Sequence, residues 1–471
     1  MPTAPTARRC RPLALLLSLL LALVPFVPQA HAAVVAPLAP PAPMQTRTAS
    51  APESASLQAL AEAYVLLLEK YAVPLDPSAL VAAGHAGLDA ALADKGIQAP
   101  IYLGVQGDDP TQLFASLRYR IQALAARYGD QLSERDLVAA AIRGMAQFTD
   151  DAHTNYVSPE QYAEYLQWRS GAVTYGGIGA RMRGPVPTII EVFPSSPAEQ
   201  AGLQPGDTIV AVDGRSVDGL RLDEVVDQVR GPAGTTVTLD VQRASSGRVD
   251  QLTLVRAEVT VPFVRAQRVG AFGLVQLRGF PEPSVVTEVE QAITRFQAEG
   301  VRGIILDLRG NSGGRIDVGS DLLSRFVPEG PIYQAVDRDG HREVVNVRHA
   351  RPILTVPLVV LIDEGTASMG EVFAAAVKEH AVGHLIGTPT AGAVAASIYV
   401  PLSDGSALQL SVEQVYSGGG ALLDKVGVAP DETVELDLDA LRQGHDTQLD
   451  RAVSYLQQLT GAAAAAATGV R

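Results

Sequence analysis

Apolar residues recur at helical spacing over positions 57–92 and 112–148, with Leu60, Tyr64, Leu67 and Leu68 sharing one face. A weak internal repeat links the two stretches. Tyr71-Ala-Val-Pro-Leu-Asp-Pro-Ser-Ala-Leu-Val-Ala-Ala returns 57 positions later as Tyr128-Gly-Asp-Gln-Leu-Ser-Glu-Arg-Asp-Leu-Val-Ala-Ala, each copy reading as a turn that enters a helix. After residue 172 the pattern changes. Short apolar or alternating runs at 189–193, 208–212 and 236–242 predict strands, separated by Pro-Gly-Asp and Asp-Gly turns and a short helix at 221–229. From residue 259, strand-length runs at 273–277, 303–307 and 358–362 alternate with helical patterns at 283–297, 317–326 and from 371. Such alternation predicts α/β units on a largely parallel sheet, with chemistry at the strand C-ends. The expected fold class is therefore α/β and multidomain. It comprises an N-terminal helical domain (57–171), a small mixed domain (172–258), an α/β core (259–437), and a C-terminal helix with an Ala-rich tail (438–471).

The first residues stand outside this pattern. Arg8-Arg9-Cys10-Arg11, an apolar run at 13–27 and Ala30-His31-Ala32 read as a secretory signal peptide over 1–32. Residues 33–56, rich in Pro, Ala, Ser and Thr, read as a disordered linker. The single cysteine, Cys10, lies in the signal, so the mature chain would hold no disulfide, thiol nucleophile or Cys-based metal site. A net charge of −14 argues against nucleic acid and anionic membrane as partners. No later stretch reaches the ~20 apolar residues of a membrane span. The expectation is an exported protein, periplasmic or secreted, with no metal or organic cofactor.

The strongest chemical signal lies at 357–373, Pro-Leu-Val-Val-Leu-Ile-Asp-Glu-Gly-Thr-Ala-Ser-Met-Gly-Glu-Val-Phe. A buried strand, a polar turn and a helix would expose Ser368 at a helix N-terminus, where amides and the helix dipole favour an oxyanion. Ser368-x-x-Glu371 also fits a capping box, in which the serine only caps the helix. A second strand end carries Gly313-Gly314, and the amides of Gly314 and Met369 would form an oxyanion hole. Asp150, Asp151 and His153 share one loop. That histidine is either bonded to its neighbouring acids or available as a general base; the group is too small for a zinc site.

Residues 201–214, A-G-L-x-P-G-D-x-I-V-x-V-D-G, resemble a PDZ domain in its permuted bacterial order. The resemblance implies that Gly177, Ile178 and Gly179 hold a peptide's C-terminal carboxylate while the adjoining strand edge takes the peptide by β-augmentation. D-L-R-G-N-S-G-G (307–314), E-G-T-A-S-M-G-E (364–371) and G-V-A-P-D (427–431) resemble the C-terminal processing, or tail-specific, serine peptidase family. That family places a general-base lysine in G-E-x-T-x-G-K; here the segment is Gly387-Thr-Pro-Thr-Ala-Gly-Ala393. Lys378 and Lys425 do not fit the motif. Thr390-Ala391-Gly392 and Asp151-Ala-His153-Thr are similar to Ser–His members, the tricorn protease and the nisin-resistance protein. This implies His153 as the base with Asp150 or Asp151 as orienter, His380 and His384 being rivals. An imidazole, with an ordinary pKa of about 6.5, needs less tuning than a lysine for that task at neutral pH. The resulting expectation is an exported serine endopeptidase acting through acyl-enzyme chemistry at Ser368 on protein or peptide tails bound by their C-terminal ends. An adaptor and self-association are left open. The alternative is a catalytically inactive PDZ-bearing relative that serves as a peptide-binding scaffold.

Overall fold

The computed structural model describes residues 54–98, 109–169, 174–184, 186–260, 262–348 and 352–468. The signal-peptide expectation and all of the linker before residue 54 lie outside them.

A six-stranded sheet runs in the order Val264–Val269, Phe272–Leu277, Ile304–Asp307, Leu358–Ile362, His384–Gly387, Glu432–Thr433. Only the first pair is antiparallel. Spatial order follows chain order, so right-handed crossovers place the connecting helices on one face. Residue parity shows it. Ile304, Leu306, Val360 and Ile362 pack with helices Ser284–Ala298, Ile316–Leu323 and Met369–Glu379. Ile305, Val359 and Leu361 face the other way, onto Ala452 and Leu456 of the C-terminal helix Thr447–Thr468. Strands buried on both faces explain the uninterrupted apolar runs.

A second, antiparallel sheet was not foreseen from the sequence. Its long strand Ala407–Ser417 pairs with Asn155–Val157, Pro331–Asp337 and Ala395–Pro401, and Arg342–Asn346 adds to Pro331–Asp337. Alternation along the long strand sends Leu408 and Leu410 into the N-terminal helical cluster, while Val415 joins the core of the parallel sheet. The two regions are thereby joined by a shared strand.

The predicted helical stretches are four helices, Ala55–Lys70, Pro77–Asp94, Pro110–Tyr128 and Glu134–Gln147. The repeat has a packing consequence. Gly87 and Gly144 stand one repeat apart (144 − 87 = 57) and meet face to face. A Cβ on Gly87 would lie 2.3 Å from the Ala140 carbonyl, and one on Gly144 2.3 Å from that of Ala83. The second helices of the two copies therefore cross at backbone contact.

The small domain has a sheet in the order Ala180–Arg183, Thr188–Val192, Thr208–Val212, Thr236–Gln242, Val249–Val255, with Arg215–Ser216 attached. Strand Ala180–Arg183 lies at its edge. Charges tie this domain to the parallel sheet. Glu191 faces Arg181, Arg265 and Arg278; Arg278 also reaches Asp307, and Arg183 pairs with Glu364. Asp307 is fully buried and grips the Arg309 guanidinium through both oxygens (3.0 and 3.1 Å). Burial alone would raise its carboxyl, but Arg309 and Arg278 hold it far below the usual carboxylate range.

Removing one partner of a buried ion pair strands the other. Asp307→Asn is expected to lower unfolding free energy by about 3–5 kcal/mol, measured as a reduced urea midpoint at unchanged m-value.

Candidate functional site

Strand Leu358–Ile362 is wholly buried and ends at Asp363, where two loops are laced together. The Asp363 carboxylate accepts the Gly310 and Gly365 amides (2.7 and 3.0 Å). The Thr366 hydroxyl donates to the Leu308 carbonyl (2.8 Å), and the Ala367 amide to that of Asn311 (2.8 Å). Asn311, fully buried, accepts the Gly313 amide at its Oδ1 (2.9 Å) and donates to the Leu277 carbonyl (3.0 Å). Asn311, Asp363 and Thr366 thus fasten the two glycine turns to each other and to the sheet.

Ser368 follows at φ 53°, ψ −124°, a conformation costing an L-residue on the order of 1–3 kcal/mol. It is held there by sharing its amide between the Ala393 carbonyl (2.9 Å) and the Glu371 carboxylate (3.1 Å). The capping-box arrangement expected as the alternative is present, and its explicit hydrogen bond is the one from the Ser368 amide to the Glu371 carboxylate. Glu371 is fully buried and also accepts the Thr390 hydroxyl (2.6 Å) and the Gly392 and Ala393 amides (2.8 and 2.9 Å). Burial pushes its carboxyl up against these four donors.

Gly313 lies against the serine. A Cβ there would stand 2.6 Å from Ser368 Cβ and 2.9 Å from Met369 N. Gly314, at φ 136°, bridges Phe280 through its neighbours: Phe280 N donates to the Gly313 carbonyl, and Arg315 N to that of Phe280. Its own N–H is therefore turned away from Phe280. Met369 is the first residue of its helix, so its amide has no intrahelical acceptor. Both amides border the same turn as Ser368.

A cleft of about 1290 Å3 opens between these turns and the antiparallel sheet, lined by Ser368, Gly313, Gly314 and, from the N-terminal region, His153 and Tyr165. Tyr165 stacks on Tyr399 across it, with ring centroids 3.7 Å apart. His153 reaches the cleft because its loop is sewn to the long strand. The Ser411 amide donates to the Thr154 hydroxyl (3.2 Å), and Asn155–Val157 pairs with Ala407–Gln409. Neither expected orienter bonds the imidazole. Asp151 accepts the His153 amide (2.9 Å) and the Thr154 hydroxyl (2.7 Å), and Asp150 pairs with Lys425. His153 Nδ1 is buried and has no hydrogen-bond partner among the described residues.

Asp424, which no local sequence pattern marked, lies within electrostatic reach of His153. Burial pushes its carboxyl up, while the Val394 amide, Lys425 and His153 pull it down. Its bond to Val394 places it one residue from Ala393, on the segment that accepts the Ser368 amide. The rival bases are placed elsewhere. His380 caps the far end of the Ser368 helix, its Nε2 2.8 Å from the Pro331 carbonyl. His384 is in register with Val359, at the N-terminal end of a parallel sheet whose C-terminal end carries Ser368, and it stacks on Tyr455. Lys378 bonds the Ala429 carbonyl and Asp431.

In the small domain, the Ile178 and Gly179 carbonyls turn inward to the Ala198 and Phe193 amides (2.8 and 2.9 Å). In a trans peptide that points the Gly179 N–H outward. Gly179 sits at φ 79°, and a Cβ there would strike Ser196 Cβ at 2.3 Å. Gly177 ends strand Thr174–Gly177, opposite Ala257.

The model of peptidase family S41 matches residues 271–434, and a PDZ domain model matches 188–243. The chain is 33% identical over 327 residues to the carboxy-terminal processing protease CtpA of Bacillus subtilis, covering 69% of each. It is 33% identical over 313 residues to a carboxyl-terminal-processing protease of Synechocystis, covering 64% of this chain and 72% of the other. Its fold is similar to that of the photosystem II D1 C-terminal processing protease, with TM-score 0.53 and 25% identity over 84% of this chain and 99% of that one.

A carboxamide in place of the Glu371 carboxylate would present an NH2 to donors. Glu371→Gln is expected to cost about 1–3 kcal/mol and to release the 390–393 segment, seen as faster amide hydrogen exchange at Gly392 and Ala393 than at the central strands.

Proposed function

Because the chain belongs to peptidase family S41, among the carboxy-terminal processing serine proteases, we propose that it is an exported endopeptidase whose PDZ domain presents C-terminal tails to Ser368. The observation that carries this reading is that Ser368, Gly313, Gly314 and His153 line one cleft. In the proposed reaction Ser368 Oγ attacks the scissile carbonyl and His153 accepts its proton. The Gly314 and Met369 amides stabilise the oxyanion, and His153 returns the proton to the leaving amine. Water then hydrolyses the acyl-enzyme by the same route. Asp424 favours the imidazolium that forms midway, the role an acid beside the base performs. Ala393 has no amine, so the proton acceptor must come from another segment.

The PDZ part of the reading rests on the outward Gly179 amide, the edge strand Ala180–Arg183 beside it, and the family match. An unpaired edge accepts a peptide as an added strand. Export rests on the basic, apolar and A-x-A segments of 1–32; no described helix is long and apolar enough to cross a membrane.

The test is cleavage of an unstructured tail peptide by the purified protein. Ser368→Ala should abolish turnover, His153→Ala should lower kcat about 10²–10⁴-fold, and Asp424→Asn should lower it by at least about tenfold. Tight binding of the peptide without cleavage by the unsubstituted protein would instead make it a scaffold. Amidating the peptide's C-terminus should raise KM about tenfold with little change in kcat, corresponding to loss of one charge-assisted contact worth about 1.5 kcal/mol. Equal KM for acid and amide would remove the carboxylate-binding role of residues 177–179.

A further inference from the structure

One lysine stands beside the proposed constellation, and it is not placed to accept the serine's proton. Lys425 Nζ lies 2.5 Å from Asp150 Oδ2. This pairing raises the ammonium's pKa and lowers that of the Asp150 carboxyl, fixing both in their charged forms. The partners come from distant parts of the chain. Asp150 opens the loop that carries His153, whereas Lys425 follows Asp424 and donates its amide to the Gly392 carbonyl (2.6 Å). Both residues have left-handed backbones, φ 50° and 60°, which non-glycine residues adopt only where their surroundings hold them. Thr154 ties the far side of the His153 loop to Ser411, so Asp150 is the tie on its near side.

We propose that the Asp150–Lys425 ion pair is a positioning clamp for peptide hydrolysis, docking the His153 loop against the segment that carries Asp424 and supports Ser368. The inference rests on His153 being the base. Stability does not explain the pair, since an exposed ion pair contributes little to folding. Position does. Proton transfer needs hydrogen-bond reach, and a displacement near 1 Å is costly to turnover. Charge adds to the case. Asp150, Asp151 and Asp424 crowd together around Tyr71, whose phenol burial and then Asp151 push up to about 12. Lys425 acts on Asp424 beside His153, and it pairs directly with Asp150. Without it, the two loops would face each other with like charges.

The experiment uses the whole protein and the same tail peptide. Lys425→Met should lower kcat about fivefold, the upper range for an exposed pair, with KM and Tm unchanged. Lys425→Arg should keep most of the turnover. The charge exchange Asp150→Lys with Lys425→Asp should recover turnover relative to either single change. Raising salt from 0.1 to 1 M shortens the screening length from about 10 to 3 Å. It should lower kcat in the unsubstituted protein and leave Lys425→Met nearly flat. Unchanged kcat in Lys425→Met, an exchange no better than the single variants, or a Tm that falls in step with kcat would each overturn the clamp. Full activity in His153→Ala would overturn it together with the assignment of the base. Loss of activity in His153→Ala beside a neutral Lys425→Met would overturn the clamp alone.

Discussion

A single buried carboxylate holds the turn of Ser368 in shape. Glu371, itself fully buried, gathers the Ser368 amide, the Thr390 hydroxyl and the Gly392 and Ala393 amides, in bonds that are buried or partly buried. Buried donors left without acceptors are expensive, so the segment 390–393 has one arrangement that satisfies them and few others. That arrangement puts the Ala393 carbonyl on the Ser368 amide and helps keep the serine in its strained conformation. The Gly313–Gly314 turn is then built against the result, because a side chain on Gly313 would overlap Ser368. The segment in which the family resemblance implies a lysine ends here in Ala393 and braces the turn of Ser368.

Much of this was legible in the sequence, for identifiable reasons. Strand Leu358–Ile362 was readable because both its faces are covered, which leaves a fully apolar run between turn residues. The glycine turns were readable because a Cβ has no room at Gly313 or Gly314. The antiparallel sheet was not. Its strands face the helical cluster on one side and the cleft on the other, so their alternation mixes apolar residues with Glu343, Glu413 and Gln409. Strand Asn155–Val157 has only three residues, too few for any period to show. Asp424 escaped notice for a related reason. Its effect on His153 depends on pairing between segments more than two hundred residues apart, and nothing in Leu423-Asp424-Lys425 records that meeting.

The same sheet changes the meaning of the N-terminal helices. Leu408 and Leu410 leave the peptidase strand to pack among them, and Thr154 hangs the His153 loop on Ser411. On the proposed reading, a base supplied by a lysine beside the nucleophile would make the α/β core complete by itself. A base supplied from residue 153 makes catalysis depend on how the helical cluster sits on the long strand. The order of fastening is then physical. Apolar packing at Leu408 and Leu410 fixes the approach, the Thr154 bond sets the loop on the strand, and the ion pair at Lys425 fixes its nearer end.

The junction with the small domain follows a different design. There the fastening is electrostatic and partly buried: Arg181 donates to the Arg309 carbonyl (3.1 Å), and Arg183 pairs with the more exposed Glu364, in the turn ahead of Ser368. Charges withdrawn from water interact more strongly and are screened less than exposed ones. Arg181 and Arg183 lie on the edge strand Ala180–Arg183, where a peptide would add on the PDZ reading. A strand that receives substrate along its backbone while its side chains grip the nucleophile's loop cannot shift without disturbing both. Apolar contact at that junction would tolerate sliding by fractions of an ångström, whereas paired guanidinium and carboxylate groups do not. The small domain is therefore held to the turn of Ser368 in a defined register, and on the proposed reading recognition and nucleophile depend on the same few arginines.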